Sequence, residues 1–253
     1  MTADDDRARR TGPRELGVDV TPRYRLMWGL VRVLVRTLFD LRVSGLEHWP
    51  AAPFQLVANH HNGWDPMLVI GVVPLEPRIT WFGPKEADFS RGFKNRVMGF
   101  FGGMIPYHPD RTTLTSAVRA VRRVFAADGV LGIFAEGRIG FRESKLLPFE
   151  DGAAAFAVAS GVSIVPCAIV GSTNLWFRRR VEVRFGPVIR TESVRGRAAR
   201  AELETRIREA IAALLPADEP RLPRRRPLRF LTDLLNGADD VARRDAERAA
   251  HGR

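Results

Sequence analysis

Apolar and polar positions along this chain fall into helical stripes and short apolar runs that alternate. Tyr24–Phe39 reads as a helix. Arg25, Arg32 and Arg36 sit at i, i+7 and i+11 and make one narrow polar stripe, and apolar residues from Leu26 to Leu38 cover the rest. From residue 54 strand and helix signals follow one another. Phe54–Ala58, Arg78–Phe82, Gly103–Pro106, Val130–Phe134, Ser163–Val170 and Val181–Phe185 read as strands. Pro66–Val73, Thr112–Ala127, Gly152–Ser160 and Gly196–Leu215 read as helices, with Thr112–Ala127 the clearest. There Leu114, Ala117, Val118, Val121, Val124 and Phe125 form one stripe, and Arg119, Arg122 and Arg123 face away. This order predicts an α/β fold: a single domain, its largely parallel sheet flanked by helices, with an amphipathic N-terminal helix and loops carrying chemistry at the strand ends. The organisation expected is a flexible segment 1–22, a domain over 23–215 and a basic C-terminal tail over 216–253 that includes a short amphipathic helix near Leu228–Leu235.

Composition narrows the class. The single cysteine, Cys167, excludes a disulfide framework and a Cys-cluster metal site. The formal charge is +11, and all but three of the 40 basic residues are arginine. Such a chain is drawn to polyanions, although a GC-rich genome also favours arginine codons. No apolar stretch of about 18 residues is present and no signal peptide is recognisable, so the expected location is the cytoplasmic face of a membrane, held peripherally. The Tyr24–Phe39 helix would be roughly 24 Å long, too short to cross a hydrocarbon layer. It fits either a helix lying in the membrane interface or one docked on the domain's own core.

The candidate chemistry begins at Asn59-His60-His61-Asn62-Gly63-Trp64-Asp65, between a strand and a helix. A carboxylate five residues after a histidine can accept from one ring nitrogen, fix the tautomer and leave the other nitrogen as a base near neutral pH. Asp65 before Pro66 also suits a helix cap. His61 is a second candidate base, without the five-residue spacing. The chain offers no G-x-S-x-G, and Cys167 lies in a predicted strand, so the base would act on a substrate hydroxyl. Three more strand-end segments join it: Ile105-Pro106-Tyr107-His108-Pro109-Asp110-Arg111, Phe134-Ala135-Glu136-Gly137-Arg138, and Val165-Pro166. Each alone also has a plain structural explanation, such as a surface Glu136–Arg138 ion pair.

Together and in this order, the four segments resemble the motifs of the glycerolipid acyltransferases of the 1-acylglycerol-3-phosphate and lysophospholipid type, over roughly residues 24–215. The resemblance implies that His60 is the general base and Asp65 its orienting partner. It implies that Arg111 binds an acceptor phosphate, that Glu136 and Gly137 shape that pocket with Arg138, and that Lys85 stands where the family often has a lysine. It implies acyl-CoA or acyl carrier protein as donor, a lysophospholipid as acceptor (1-acylglycerol-3-phosphate first), an anionic membrane surface as partner, and neither metal nor organic cofactor. The interval from Gly103 to Arg111 is about two residues longer than usual. Ala135 replaces a proline, and Arg138-Ile139-Gly140 replaces Thr-Arg-Ser, which leaves the acceptor headgroup open. A basic protein that only binds membranes or nucleic acid is the rival class; the chain carries no nucleic-acid motif, and none is expected as a partner.

Overall fold

The computed structural model describes residues 19–84, 104–107, 111–150 and 152–250. Among the described residues seven strands form one sheet: β1 (Asp40–Ser44), β2 (Phe54–Ala58), β3 (Ile79–Pro84), β4 (Met104–Tyr107), β5 (Val130–Phe134), β6 (Ser163–Val170) and β7 (Arg180–Phe185). Their order across the sheet is β1-β7-β6-β2-β5-β3-β4. Every pairing is parallel except β6 with β7. The helices are α1 (Pro22–Leu38), α2 (Asp65–Ile70), α3 (Arg111–Ala126), α4 (Ala153–Ser160), α5 (Gly196–Ala212) and α6 (Ala238–Ala250), with 3-10 turns at Leu46–His48 and Arg229–Thr232.

The central strands are buried on both faces, as continuous apolar runs require in a parallel sheet. Phe54, Leu56 and Ala58 of β2 point to one side, with Val35, Phe39, Leu68 and Val69 of the α1–α2 layer. Val57 points to the other, with Val121, Val124, Ala157, Leu203 and Ile207 of α3, α4 and α5. The period-2 alternation of strand side chains therefore feeds two cores, one above and one below the sheet.

Two elements escaped the sequence pattern. Strand β1 lies at the sheet edge, where only Leu41 and Val43 of its five residues are apolar and Val43 is exposed. Helix α6 carries Asp239, Asp240, Arg243, Arg244 and Asp245, with too few apolar positions to make a stripe. Near Leu228–Leu235 the chain makes only the short 3-10 turn, because Leu228 takes up a left-handed φ of 55°.

Helix α1 turns part of its arginine stripe inward, onto the neighbouring backbone. Thr21 caps its N-terminus through the Tyr24 N–H, at 3.2 Å. Tyr24, Met27 and Val35 are buried. Arg32 donates to Val73 O at 3.3 Å and Arg36 to Gly71 O at 3.0 Å, so two of the three stripe arginines satisfy carbonyls at and beyond the end of α2. The outward face is instead Leu26, Leu30, Val33 and Leu34, between 44 % and 67 % exposed. Among the described residues no helix is long and apolar enough to cross a membrane.

Candidate active site

Strands β2 and β5 are parallel neighbours in register, Ala58 opposite Phe134, so their C-terminal ends leave the sheet side by side. The two exit loops are tied together by the backbone. Ala135 N–H donates to Ala58 O at 3.2 Å, and Gly140 N–H to His60 O at 2.7 Å. This is the edge at which parallel α/β sheets place their sites.

On the β2 loop, His60 Nδ1 lies 2.9 Å from Asp65 Oδ2. The bond makes Nδ1–H the donor and leaves the Nε2 lone pair free. The same Oδ2 accepts the backbone N–H of His61 at 2.6 Å and of Asn62 at 2.8 Å. Asp65 therefore folds the loop and orients the imidazole with one oxygen. It opens α2 but does not cap it through its side chain; Trp64 holds the cap position. Asp65 is fully buried, and Asp65 Oδ1 has no hydrogen-bond partner. The His60 side chain keeps 19 % of its surface, enough to present Nε2 to a substrate. Its ring lies on Phe134 at 4.2 Å between centroids, and Phe134 lies on Trp81 at 4.8 Å. Three stacked rings fix the plane of the imidazole.

Glu136 is buried rather than paired at the surface with Arg138. Its Oε1 accepts His60 N–H at 2.9 Å and its Oε2 accepts Leu147 N–H at 2.7 Å. Burial raises its pKa, although both N–H groups and the nearby histidines favour the charge. Gly137 turns the loop at a φ of +63°, where a Cβ would also stand 2.6 Å from Glu150 Cγ. Arg138 follows on the exposed side of that turn. Arg111 begins α3, past the end of β4; its side chain lies outside the described residues, as do Lys85 and Gly103 altogether. The geometry thus brings His60, Asp65, Glu136 and Gly137 together. Cys167 is buried in β6, and burial pushes its thiol well up, so it offers no nucleophile. Among the described residues no group of three or more His, Cys, Asp or Glu side chains is placed to hold a metal ion.

Sequence reasoning missed a second pair directly behind the first. His61 Nδ1 lies 3.5 Å from Glu143 Oε2, and both side chains are at most 1 % exposed. Glu143 also accepts from Gly171 N–H at 2.8 Å, Thr173 N–H at 3.0 Å and Thr173 Oγ1 at 2.5 Å. Burial opposes its charge, but His61, Thr173 and Gly171 outweigh that and hold the carboxyl at about 2. Burial likewise opposes a charge on His61, and Glu143, Asp65 and Glu136 override it and raise its pKa. His61 is thus walled in as a structural partner and has no face open to a substrate. Asn59 completes the anchoring: Nδ2 donates to Ile169 O at 3.0 Å, and Ile169 N–H donates to Oδ1 at 2.7 Å. The adjacent His60-His61 pair was the available signal. Nothing in Arg142-Glu143-Ser144 announced the partner.

The chain belongs to the acyltransferase family: the family model described as "Acyltransferase" matches residues 40–170, just over half of the chain. Among curated proteins, the 1-acyl-sn-glycerol-3-phosphate acyltransferase of Bacillus subtilis (strain 168) is 26 % identical over 153 residues, which cover 60 % of this chain and 73 % of that protein. Among solved structures, the 1-acyl-sn-glycerophosphate (LPA) acyltransferase PlsC of Thermotoga maritima is similar with a TM-score of 0.56 at 18 % identity, over 85 % of this chain and 84 % of that one. That likeness concerns the fold.

Proposed function

We propose that this protein transfers a fatty acyl group from a thioester, acyl-CoA or acyl carrier protein, to the free hydroxyl of a lysophospholipid, with 1-acylglycerol-3-phosphate as the first choice of acceptor. The observation that carries the reading is the His60–Asp65 pair, in which Nδ1 is taken by the carboxylate and Nε2 is left as the nitrogen that can act as base. His60 Nε2 takes the proton of the acceptor hydroxyl as its oxygen attacks the thioester carbonyl. The tetrahedral intermediate collapses, the C–S bond breaks, and the imidazolium returns the proton to the departing sulfur. Asp65 stabilises the imidazolium in between. The thioester is already activated, so a general base, worth about 10²–10⁴-fold, and positioning suffice.

The Bacillus subtilis relative's name supports a phosphate-bearing acceptor. Arg111 suits that phosphate: β4 lies three strand positions from β2, roughly 14 Å across the sheet, a span that a glycerophosphate and an extended arginine fill between them. Gly137 shapes the wall and Arg138 adds charge at the rim. Lys85 follows β3 directly and is a further candidate for a donor or acceptor phosphate. The outward leucines of α1 support a seat on a bilayer, where both acyl chains reside.

A lysolipid panel with acyl-CoA and acyl-carrier donors, read by mass spectrometry of the products, tests the reading. Acylation of a lysophospholipid supports it. A wild-type protein that esterifies none of them sinks it. Arg111→Lys should raise KM for a phosphorylated acceptor several-fold more than for the donor, because lysine cannot make the two-pronged phosphate contact. Equal effects on both would remove Arg111 from that role.

A further inference from the structure

The segment Leu228–Asn236 lies beyond the residues matched by the family model, yet it touches the turn that carries His60 and Asp65. Asn62 Nδ2 donates to Thr232 O at 3.0 Å, and Trp64 Nε1 to Leu231 O at 2.9 Å. Gly63 N–H donates to Asn236 Oδ1 at 2.7 Å. Three consecutive residues of the catalytic turn therefore bond to one distant segment. The approach is close: a Cβ on Gly63 would stand 2.3 Å from Leu235 O.

The segment is itself held on two sides. Thr232 Oγ1 accepts Leu175 N–H at 2.8 Å and donates to Leu175 O at 2.9 Å, which fixes it to the loop between β6 and β7. Asp233 pairs with the buried Arg244 of α6. Asn236 Nδ2 donates to Thr232 O at 3.0 Å, so the same amide that accepts from Gly63 also locks its own turn. Asn62 and Gly63 precede Asp65 by three and two residues. Asp65 Oδ2 in turn collects His60 Nδ1–H and the N–H groups of His61 and Asn62. A change in the path of Asn62–Gly63 is passed to that oxygen directly.

We propose that Leu228–Asn236 is a clamp on the catalytic turn and that Asn236 is a positioning residue for the His60–Asp65 pair. Asn236 touches neither substrate nor imidazole. It supplies the acceptor that fixes Gly63, and Gly63 fixes the loop on which the base is aimed. A displacement of about 1 Å at a base costs up to about 10²-fold in rate, so one lost anchor is visible in kcat. As an effect on acyl transfer this rests on the function proposed above; the clamp itself does not.

Asn236→Ala removes the acceptor and tests the assignment. The expected result is hydrogen exchange at the Gly63 amide faster by about tenfold or more, and a weakened low-field proton signal from His60 Nδ1–H. With acceptor and donor supplied, kcat should fall about tenfold with KM within twofold. Asn236→Asp keeps an acceptor oxygen and should recover most of kcat. If Asn236→Ala folds poorly, Asn236→Ser, shorter but still polar, carries the same expectations. Native Gly63 exchange with native kcat overturns the proposal. Faster exchange with native kcat also overturns it, since Asn236 would then be only structural. Lower kcat with both Gly63 exchange and the His60 signal unchanged overturns it as well. If the wild type acylates no lysolipid, the functional reading fails instead, and the exchange and proton-signal measurements still decide the clamp.

Discussion

His60 and His61 are neighbours in sequence with opposite surroundings, and their substitutions should separate cleanly. His60→Ala is expected to abolish product formation with a smaller loss of melting temperature than a change at His61, because its ring is partly exposed and the buried Asp65 Oδ2 keeps the N–H groups of His61 and Asn62. Asp65→Asn should lose much of kcat while substrate binding persists. His61→Leu leaves the Glu143 carboxylate buried without its cation, and losing one partner of such a pair costs about 3 kcal/mol or more. Thermal melts of the two histidine variants decide this; a dead, stable His61→Leu beside an active His60→Ala would reverse the assignment. The pair also sets a pH dependence. Glu143 is depressed to about 2, so its stabilisation is present above the ordinary carboxylate range and is lost as pH falls from 4.5 toward 2. The His61 pKa is raised, so its share is present below 6.5 and lost as pH rises through its folded value. The stability gap between wild type and Glu143→Gln, from denaturant titrations across pH, should therefore narrow toward acid; a gap constant from pH 5 to 2 would show the carboxylate is not held.

Helix α1 divides its labour between its two faces. Val35 lies fully buried in the core, and Phe39, just past its end, packs there against Trp64 at 5.5 Å. Removing residues 1–40 would therefore open the core as well as strip the outward leucines. A gentler change tests the outer face: Leu26→Glu with Leu30→Glu adds two charges to positions that are 64 % and 58 % exposed. Liposome flotation should fall severalfold, with melting little changed and activity on detergent-dispersed lysolipid retained. Flotation equal to wild type would place the lipid contact elsewhere. Elements with full apolar runs were legible in the sequence: β2, β5 and β6 occupy the expected residues. Edge strand β1 and charged helix α6 were not, because a half-exposed strand and a polar helix need neighbours rather than pattern to form. In the site, His60 and Asp65 are separated by a local spacing and could be read. Glu143, Thr232 and Asn236 are brought in from 82, 172 and 176 residues beyond His61 and His60 by the topology, and no spacing rule carries that information.

The whole chain carries a formal charge of +11, with Arg178, Arg180, Arg224, Arg225 and Arg229 exposed. Bound to anionic vesicles, such charges contribute about 1 kcal/mol each where they reach the surface, and salt screens that contribution over about 8–10 Å. Flotation across a salt series should show partial release, with the remainder held by α1; complete release would make the association electrostatic alone, and no salt effect would make it purely apolar. Exposed Leu228, Phe230 and Leu234 lie on the same segment that grips Gly63, so the surface near the arginines is also tied to the His60–Asp65 turn. The grip has a further consequence, in time rather than space. The turn at His60–Asp65 is synthesised about 170 residues before the partners that brace it. A growing polypeptide can pair most of the sheet while the turn still lacks Thr232 and Asn236. Acyl transfer should thus reach its full rate only when translation has passed residue 236, which makes a prematurely stopped product folded in its sheet yet slowed toward lipid.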